Sequence, residues 1–144
     1  MVRFLFEYRK KELTLEEHQK LLNSLANAME AEGITITNID IAETPQFFDD
    51  KFRKLPKPKE RDGHIPDLEG MKGALRHIGE VKIDIKGDPK LDSQLKSFTN
   101  REMNGKEIPL HIAVPTKLKK ELEKKLYKIG LYNKYKKGTI RIWA

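Results

Sequence analysis

The chain has 144 residues, and its 29 Lys and Arg against 22 Asp and Glu give a net charge of +7 at neutral pH. Hydrophobic residues make up 38% of the chain and cysteine is absent, which excludes a disulfide scaffold, collagen and wholesale disorder. No apolar run approaches the roughly 18 residues of a membrane span, and the apolar stretch at the start is too short for a secretory signal. We therefore expect one cytoplasmic domain over 1–144 with no membrane partner.

The first elements predicted along the chain are an arm, a helix and a strand. Residues 1–12 predict a strand or a docked N-terminal arm, because aromatic and apolar residues are frequent there. Thr14, followed three residues later by Glu17, has the form of a capping box, so a helix is expected to begin at Thr14. Gly33 is a natural stop for that helix. Alternating isoleucines over 34–41 predict the strand that follows.

The rest of the chain predicts an alternation of strands and helices. Segment 44–63 is expected to be a long basic loop, because it carries three prolines and many charges. After it we expect strands over 64–69 and 75–85 around a turn at Lys72-Gly73, a helix over 91–100, a strand over 108–114, a lysine-rich helix over 115–130 and a strand over 139–143. The order (β)αβββαβαβ predicts a single α/β domain with a central mixed β-sheet flanked by helices.

The predicted hairpin carries the charged residues that are most informative about function. Glu80 and Lys82 project from the same side of their strand, because side chains alternate between faces. With a two-residue turn at Lys72-Gly73, Asp67 lies opposite Ile78, on that same face and diagonal to Glu80. Diagonal Cβ atoms are roughly 7–8 Å apart, close enough for two carboxylates to bind one cation between them.

This arrangement of side chains suits a hard divalent cation. Asp67 and Glu80 would bind Mg²⁺, with Mn²⁺ as a substitute, and the carbonyl of Val81 could supply a third ligand. Lys82 beside the metal would orient a water molecule, or help to deprotonate it, and would offset charge on a phosphorane. The combination predicts hydrolysis of a phosphodiester by metal-activated water.

The spacing of these residues resembles a known signature. Pro66-Asp67, twelve further residues and then Glu80-Val81-Lys82 resemble the motif of the PD-(D/E)XK nuclease superfamily, which has the restriction-endonuclease-like fold. The element order from Thr14 to Val114 is similar to the αβββαβ core of that family, with a helix and a strand added at the C-terminus. The resemblance implies a single nuclease-like domain, either an endonuclease or an exonuclease.

The resemblance also implies roles for individual residues. Asp67 and Glu80 would bind the metal, and Lys82 would be catalytic. The segment from Gln94 to Phe98 resembles the Gln-x-x-x-Tyr element of the exonuclease branch, with Phe in place of Tyr, so that Gln94 would position water or substrate. Some members use a Glu from the first helix, and Glu17 is our choice because it begins the apolar stripe. The alternatives on that helix are Glu16, Glu30 and Glu32.

Two basic segments predict a nucleic-acid partner, with DNA favoured over RNA. Segment 51–61 has six basic residues and one acid, and segment 117–137 has nine lysines and two glutamates. Taken alone, these two segments favour two solvated faces, and only together with the nuclease interpretation do they predict two strips that follow a phosphate backbone. The residues expected to contact the phosphate backbone are Lys51, Arg53, Lys54, Lys57, Lys59, Arg61, Lys96, Lys134, Lys136 and Lys137. The family resemblance also implies a homodimer, since many relatives cut both strands as dimers.

Other functions are compatible with the same residues. The main alternative is a non-catalytic, basic nucleic-acid-binding protein on the same fold, and a third is an interaction or inhibitor protein with a basic surface. His64, His77 and His111 could approach one another behind the sheet and bind zinc, although ordinary semi-buried histidines are the favoured interpretation. His18 is expected to lie at the surface of the first helix.

Overall fold

A five-stranded sheet with helices on both faces organises the chain. The computed structural model describes the backbone of residues 2–144 and the side chains of residues 13–144. The helices are α1 (Val2–Ala31), α2 (Asp50–Arg53), α3 (Leu91–Thr99), α4 (Lys119–Lys128) and α5 (Tyr132–Lys136). The strands are β1 (Thr35–Ile39), β2 (Leu68–Lys72), β3 (Leu75–Val81), β4 (Glu102–Met103), β5 (Lys106–Glu107), β6 (Leu110–Ala113) and β7 (Ile140–Trp143).

The sheet changes from antiparallel to parallel pairing at its central strand. Its strand order is β1-β2-β3-β6-β7. The pairs β1–β2 and β2–β3 are antiparallel, whereas β3–β6 and β6–β7 are parallel. The strands β4 and β5 form a separate two-stranded hairpin. The predicted fold class, a single α/β domain with a mixed sheet flanked by helices, is confirmed.

Each face of the sheet is covered by its own apolar core. Ile78 and Val81 belong to different cores, as expected for side chains that alternate along β3. The helix α1 packs Leu22, Leu25 and Met29 on the face of Val81, and α3 and α4 cover the other face. The strand β3 is therefore buried on both faces, which is what its apolar sequence predicts.

The N-terminal strand or arm predicted over 1–12 is wrong. From Val2 to Ala31 the backbone forms one helix, so Thr14 lies inside it and is not its N-cap. Neither glycine nor proline interrupts the sequence before Gly33, and the capping-box pattern alone cannot start a helix where the preceding residues are also helical. Gly33 ends the helix as predicted, with a positive φ of 87°.

The hairpin forms with its turn one residue later than predicted. Lys72 pairs with Leu75, so the turn is Gly73-Ala74 and not Lys72-Gly73. Moving a two-residue turn by one position changes every cross-strand partner by two residues, and therefore preserves the face on which each side chain lies. Continued by one pair, the observed register places Asp67 directly opposite Glu80.

The predicted long loop at 44–63 contains two single turns of helix. A 3₁₀ turn spans Pro45–Phe47, and α2 follows it. Phe48 and Phe52 are 2% and 1% exposed and join the core beneath α1. The beginning of this segment is therefore fixed by packing, and the irregular stretch is confined to the residues between α2 and β2.

Candidate active site

A cleft at the carboxyl end of β3 brings together four residues that the sequence singles out. It has a volume of about 370 Å³ and opens to solvent. Asp67, Glu80, Lys82 and Gln94 all line it. They come from the residue before β2, the end of β3, the residue after β3, and α3. The chain therefore folds these separated positions into one place.

The carboxyl groups of Asp67 and Glu80 each accept a hydrogen bond from a backbone N–H that is close to the other carboxyl group. The N–H of Asp67 donates to Oε1 of Glu80 at 2.9 Å, and the N–H of Val81 donates to Oδ2 of Asp67 at 2.7 Å. Glu80 is 3% exposed, and the side chain of Asp67 is 16% exposed. These two reciprocal hydrogen bonds fix both carboxyl groups at the end of the hairpin.

The side chain of His18, on helix α1, contacts the carboxylate of Asp67. The carbonyl oxygen of the buried Gln19 side chain accepts hydrogen bonds from the Ala42 N–H at 2.9 Å and the Thr44 hydroxyl at 3.0 Å. This leaves the Gln19 amide nitrogen as the donor to Nδ1 of His18, at 3.1 Å. The proton of a neutral His18 ring therefore lies on Nε2, which is 3.3 Å from Oδ2 of Asp67.

The two carboxyl groups differ in their affinity for protons. Burial raises the pKa of Glu80 well above its usual range, and the negative charge of Asp67 raises it further. Burial acts on Asp67 in the same direction, but the hydrogen bond and charge of His18 outweigh it, so the pKa of Asp67 is lowered. Of the two carboxyl groups, Asp67 therefore ionises more readily and Glu80 holds its proton more strongly.

Lys82 is held by three acceptors around the cleft. Its Nζ donates to Oδ2 of Asp88 at 2.8 Å and to Oε1 of Gln94, and it lies 3.6 Å from Oε2 of Glu80. Burial lowers the pKa of Lys82, but the charges of Glu80 and Asp88 outweigh it and the pKa is raised. Lys82 is therefore a positioned ammonium group beside the carboxylate pair.

The residues present fit a magnesium ion bound at an open site. Mg²⁺ in proteins is commonly held by one or two carboxylates and keeps several waters. Asp67 and Glu80 supply those carboxylates. The amides of Ile78 and Lys82 donate toward β6, so the alternation of the strand turns the C=O of Val81 toward Asp67. Among the described side chains, there is no group of three or more His, Asp or Glu that could hold a metal ion, so a cation here would depend on two carboxylates and on water.

The first helix contributes His18 to the cleft in place of the predicted Glu17. The side chain of Glu17 is exposed and does not line the cleft, so its placement on the buried stripe is wrong. The alternatives are engaged elsewhere. Glu16, Glu30 and Glu32 pair with Lys20, Lys51 and Arg141, in that order. The expectation that His18 lies at the surface is also wrong, because it is half-buried against Asp67.

The basic segment 51–61 is largely balanced by carboxylates of the protein. Lys51, Arg53, Lys57 and Arg61 pair with Glu30, Asp50, Asp40 and Glu69, at 2.7, 2.7, 3.6 and 3.1 Å, in that order. Of these four residues, Arg61 is the least available to a ligand, because its partner Glu69 is buried. The exposed pairs are weak. No described ion pair involves Lys54 or Lys59, both of which are exposed.

The remaining predicted phosphate contacts differ in their availability. Lys134 and Lys137 both pair with Glu107, at 2.7 and 2.8 Å, and they lower the pKa of Glu107 to about 2. Lys96 and Lys136 are exposed, and the described ion pairs involve neither of them. Of these four lysines, two are therefore exposed without a described ion pair, and two fix the strand β5 through Glu107.

The histidines behind the sheet form a pair and not a three-residue zinc site. Nδ1 of His77 lies 2.9 Å from Nε2 of His111, and the indole N–H of Trp143 donates to Nδ1 of His111 at 3.1 Å. Because an indole N–H can only donate, the proton of His111 lies on Nε2 and points at His77. His64 is elsewhere and contacts the hydroxyl of Ser93 at 2.8 Å.

Sequence patterns did not indicate the roles of His18 and Asp88. His18 is predicted to lie at the surface, although its spacing from Leu22, Leu25 and Met29 places it on the apolar stripe of α1. Asp88 belongs to the Gly87-Asp88-Pro89 sequence, which indicates a turn and gives no sign of an ion pair with a residue six positions earlier. Both residues reach the cleft only through tertiary packing.

No helix in the described part of the chain is long and apolar enough to cross a membrane. No protein-family model matches the sequence, and comparisons with curated proteins and with solved structures gave no significant match. The resemblance to the PD-(D/E)XK superfamily therefore depends on motif spacing and on the geometry of the cleft.

Proposed function

We propose that this protein is a metal-dependent nuclease that hydrolyses phosphodiester bonds of nucleic acid, with DNA as the favoured substrate. The observation that carries the proposal is the pair of carboxyl groups, Asp67 and Glu80, fixed across the hairpin beside the ammonium group of Lys82 in an open cleft. Two convergent carboxylates and a lysine are the side chains that this hydrolysis uses.

The charge of the cleft is opposite to that of the whole chain. Four carboxylates and one lysine line it, whereas the net charge of the chain is +7. A polyanion attracted to the protein would be repelled at the cleft unless a cation bound there as well. Mg²⁺, or Mn²⁺ in its place, would remove this conflict.

Asp67 and Glu80 would hold the cation, with the carbonyl of Val81 as a further ligand. When bound, a divalent cation supplies positive charge that stabilises phosphoryl oxygens and makes a water molecule more acidic. His18 favours the ionised form of Asp67, which is the form that binds cations.

Lys82 would contribute a fixed positive charge to the transition state. Its ammonium group would stabilise negative charge that develops on the phosphoryl group and would orient the attacking water. Asp88 and Gln94 position Lys82 through direct hydrogen bonds. Gln94 therefore supports catalysis through Lys82, in addition to any contact with substrate.

The order of the main elements supports the restriction-endonuclease-like fold for this chain. From α1 to β6 the order is helix, three strands, helix and strand, when the short elements between them are set aside. A homodimer would place two clefts on one duplex, so that both strands could be cut. Lys54, Lys59, Lys96 and Lys136 are the predicted phosphate contacts that remain exposed without a described ion pair.

A cleavage assay tests the proposal directly. Wild-type protein is incubated with supercoiled plasmid and with labelled oligonucleotides, in Mg²⁺, Mn²⁺ or EDTA. We expect nicking with either metal and none in EDTA, and a loss of about 10²–10³-fold for Glu80→Gln and for Asp67→Asn. Glu43→Gln is the matched control, because that exposed carboxylate lies outside the cleft. Cleavage by Glu80→Gln at the wild-type rate would contradict the proposal.

A non-catalytic nucleic-acid-binding protein is the second candidate. The observation in its favour is that Lys82 already has Asp88 and Gln94 as partners, as a purely structural ion cluster would. In that case wild-type protein would bind the oligonucleotides with a steep salt dependence and would leave them intact in both metals.

A further inference from the structure

An exposed pair of tyrosines lies on α4 and α5, away from both cores. Tyr127 is 74% exposed and Tyr132 is 39% exposed. Their rings meet edge to face, with centroids 5.7 Å apart and planes at 72°. By contrast, Phe48 and Phe52 of the basic loop are buried. Core packing therefore explains those phenylalanines but does not explain the exposure of the tyrosines.

Four lysines line the surface beside this pair. Lys117, Lys120, Lys124 and Lys128 border a groove of about 640 Å³ along α4. The last three recur every four residues and so lie on one side of the helix, about 6 Å apart along its axis. Lys120 and Lys124 also line a hollow of about 500 Å³ that contains both tyrosines. The lysines and the tyrosines therefore form one continuous surface, which we call the α4–α5 surface.

Lysines outnumber acids on the α4–α5 surface, where Glu123 keeps its negative charge because its partner is the neutral hydroxyl of Tyr135. The described ion pairs of this region use other lysines, and none involves Lys117, Lys120, Lys124 or Lys128. The two acids of α4 have their own partners. Glu121 pairs with Lys86 at 3.1 Å, and Glu123 accepts a hydrogen bond from the hydroxyl of Tyr135 at 3.0 Å.

One loop lies between the α4–α5 surface and the cleft. The loop over 83–88 forms a wall of both, since Ile83, Asp84 and Gly87 line the cleft while Ile85 and Lys86 line the groove of α4. A ligand that follows the lysines of α4 would have to pass over this one loop to reach the carboxylate pair.

We infer that the α4–α5 surface binds single-stranded nucleic acid, with lysines on the phosphates and with Tyr127 and Tyr132 stacked on unpaired bases. The lysines alone would accept any polyanion. The tyrosines indicate single-stranded nucleic acid among the polyanions. The faces of bases within a duplex are covered by their neighbours, whereas each base of a single strand offers an open π-face. The inference deepens the proposed function by naming its substrate as a single strand, or a duplex with an unpaired segment.

Fluorescence anisotropy in EDTA tests this binding separately from cleavage. The probes are a labelled oligothymidylate and a duplex of the same length, and each is titrated with the full chain at several salt concentrations. We expect Tyr127→Ala and Tyr132→Ala each to weaken binding of the oligothymidylate by roughly tenfold and to leave binding of the duplex nearly unchanged. Tyr127→Phe, which keeps the ring, is the matched control and should bind like wild type.

The lysines are tested by the salt dependence of binding. Each phosphate contact contributes about 0.7 to the slope of log Kobs against log[salt] for a single strand, so Lys120→Gln with Lys124→Gln should reduce its magnitude by about 1.4. Lys72→Gln with Lys106→Gln removes the same charge from exposed positions that lie outside the α4–α5 surface and are not predicted phosphate contacts, and should leave the slope as in wild type.

Three outcomes would overturn the inference. In the first, wild type and Tyr127→Ala/Tyr132→Ala bind the oligothymidylate with equal affinity. In the second, wild type prefers the duplex. In the third, the protein binds phosphatidylserine vesicles, and not the oligonucleotide, in a way that depends on the tyrosines. Failure of the proposed function has a different result, in which the tyrosine effect on binding persists and no metal supports cleavage.

Discussion

Asp67 lies opposite Glu80 at the end of the β2–β3 hairpin, and each carboxyl group accepts a hydrogen bond from the backbone beside the other. Two acidic groups this close inside a protein repel each other when both are ionised, which is part of why the pKa of Glu80 is raised. The pair therefore has thermodynamic properties that can be measured without an assay of cleavage.

We expect Glu80→Gln to increase the free energy of unfolding in EDTA at pH 8 by about 1 kcal/mol. Glutamine keeps an acceptor for the N–H of Asp67 and removes the repelling charge. A carboxyl group whose folded pKa is raised stabilises the protein at low pH and loses that contribution as pH rises through the folded pKa. In urea titrations of both proteins, the gain of Glu80→Gln over wild type should be larger at pH 8 than at pH 5, because the contribution of His111 is common to both proteins and cancels in the difference.

The control for that comparison is Glu43→Gln, which removes an exposed charge and should follow wild type at both pH values. A lower stability of Glu80→Gln than of wild type at pH 8 would contradict the repulsion between the two carboxyl groups.

Mg²⁺ should stabilise the wild-type protein against unfolding. A ligand that binds only the folded state at 100 times its Kd adds about 2.7 kcal/mol to the free energy of unfolding. We expect the melting temperature to rise with Mg²⁺ concentration for wild type, and to stay constant for Asp67→Asn, which keeps an acceptor for the Val81 N–H. An equal rise in the variant would place the metal elsewhere.

Asp88 should act on catalysis through Lys82. We expect Asp88→Asn to lower kcat by about tenfold with little change in KM, and Lys82→Gln to lower kcat by about 100-fold. Asp88→Glu, which restores the charge, should recover part of the loss. Asp50→Asn is the control, since its side chain is 91% exposed and pairs with Arg53. A change in KM alone for Asp88→Asn would assign Asp88 to substrate binding.

The buried His111 should make the protein less stable in mild acid. Burial, with the neighbouring His77, lowers the pKa of His111 to about 3. The unfolded chain binds a proton at that residue near pH 6.5 and the folded chain does not, so stability falls as pH decreases below 6.5. Between pH 6.5 and pH 5 this amounts to about 2 kcal/mol.

Urea titrations of wild type and His111→Gln across that range measure the effect. The difference in slope between the two proteins isolates His111 from Glu80, whose contribution has the opposite sign. Parallel pH profiles would show that His111 accepts a proton while the protein is folded.

The face relationships in the hairpin could be predicted from the sequence, whereas the exact pairing could not. The turn at Lys72-Gly73 was misplaced by one residue, because neither Lys-Gly nor Gly-Ala is a strong hairpin signal. The error preserved the face shared by Asp67 and Glu80, because side-chain direction repeats every two residues. The carboxyl groups are consequently nearer to each other than predicted.

Local sequence patterns cannot predict the contacts between elements that are distant in the chain. The spacing of His18 from Leu22 and Leu25 indicates its face of α1, but nothing in the sequence indicates that Asp67 lies against that face. The basic residues of 51–61 are adjacent in sequence, but their partners, such as Glu30 and Glu69, lie on other elements. Runs of basic residues in the sequence therefore indicate where positive charge lies, but not which side chains are paired with carboxylates.

The hydrogen bond from the Val81 N–H to Asp67 gives that aspartate a structural role in addition to the proposed role in metal binding. Val81 is 2% exposed, and loss of the carboxylate would leave its amide without this acceptor, at a cost of about 1–3 kcal/mol. Glu80 has the matching role as acceptor for the Asp67 N–H, whereas the described hydrogen bonds of the Lys82 side chain go to other side chains. In a chain of this kind without activity, the fold would still retain both acids, so their presence alone would be poor proof of an enzyme.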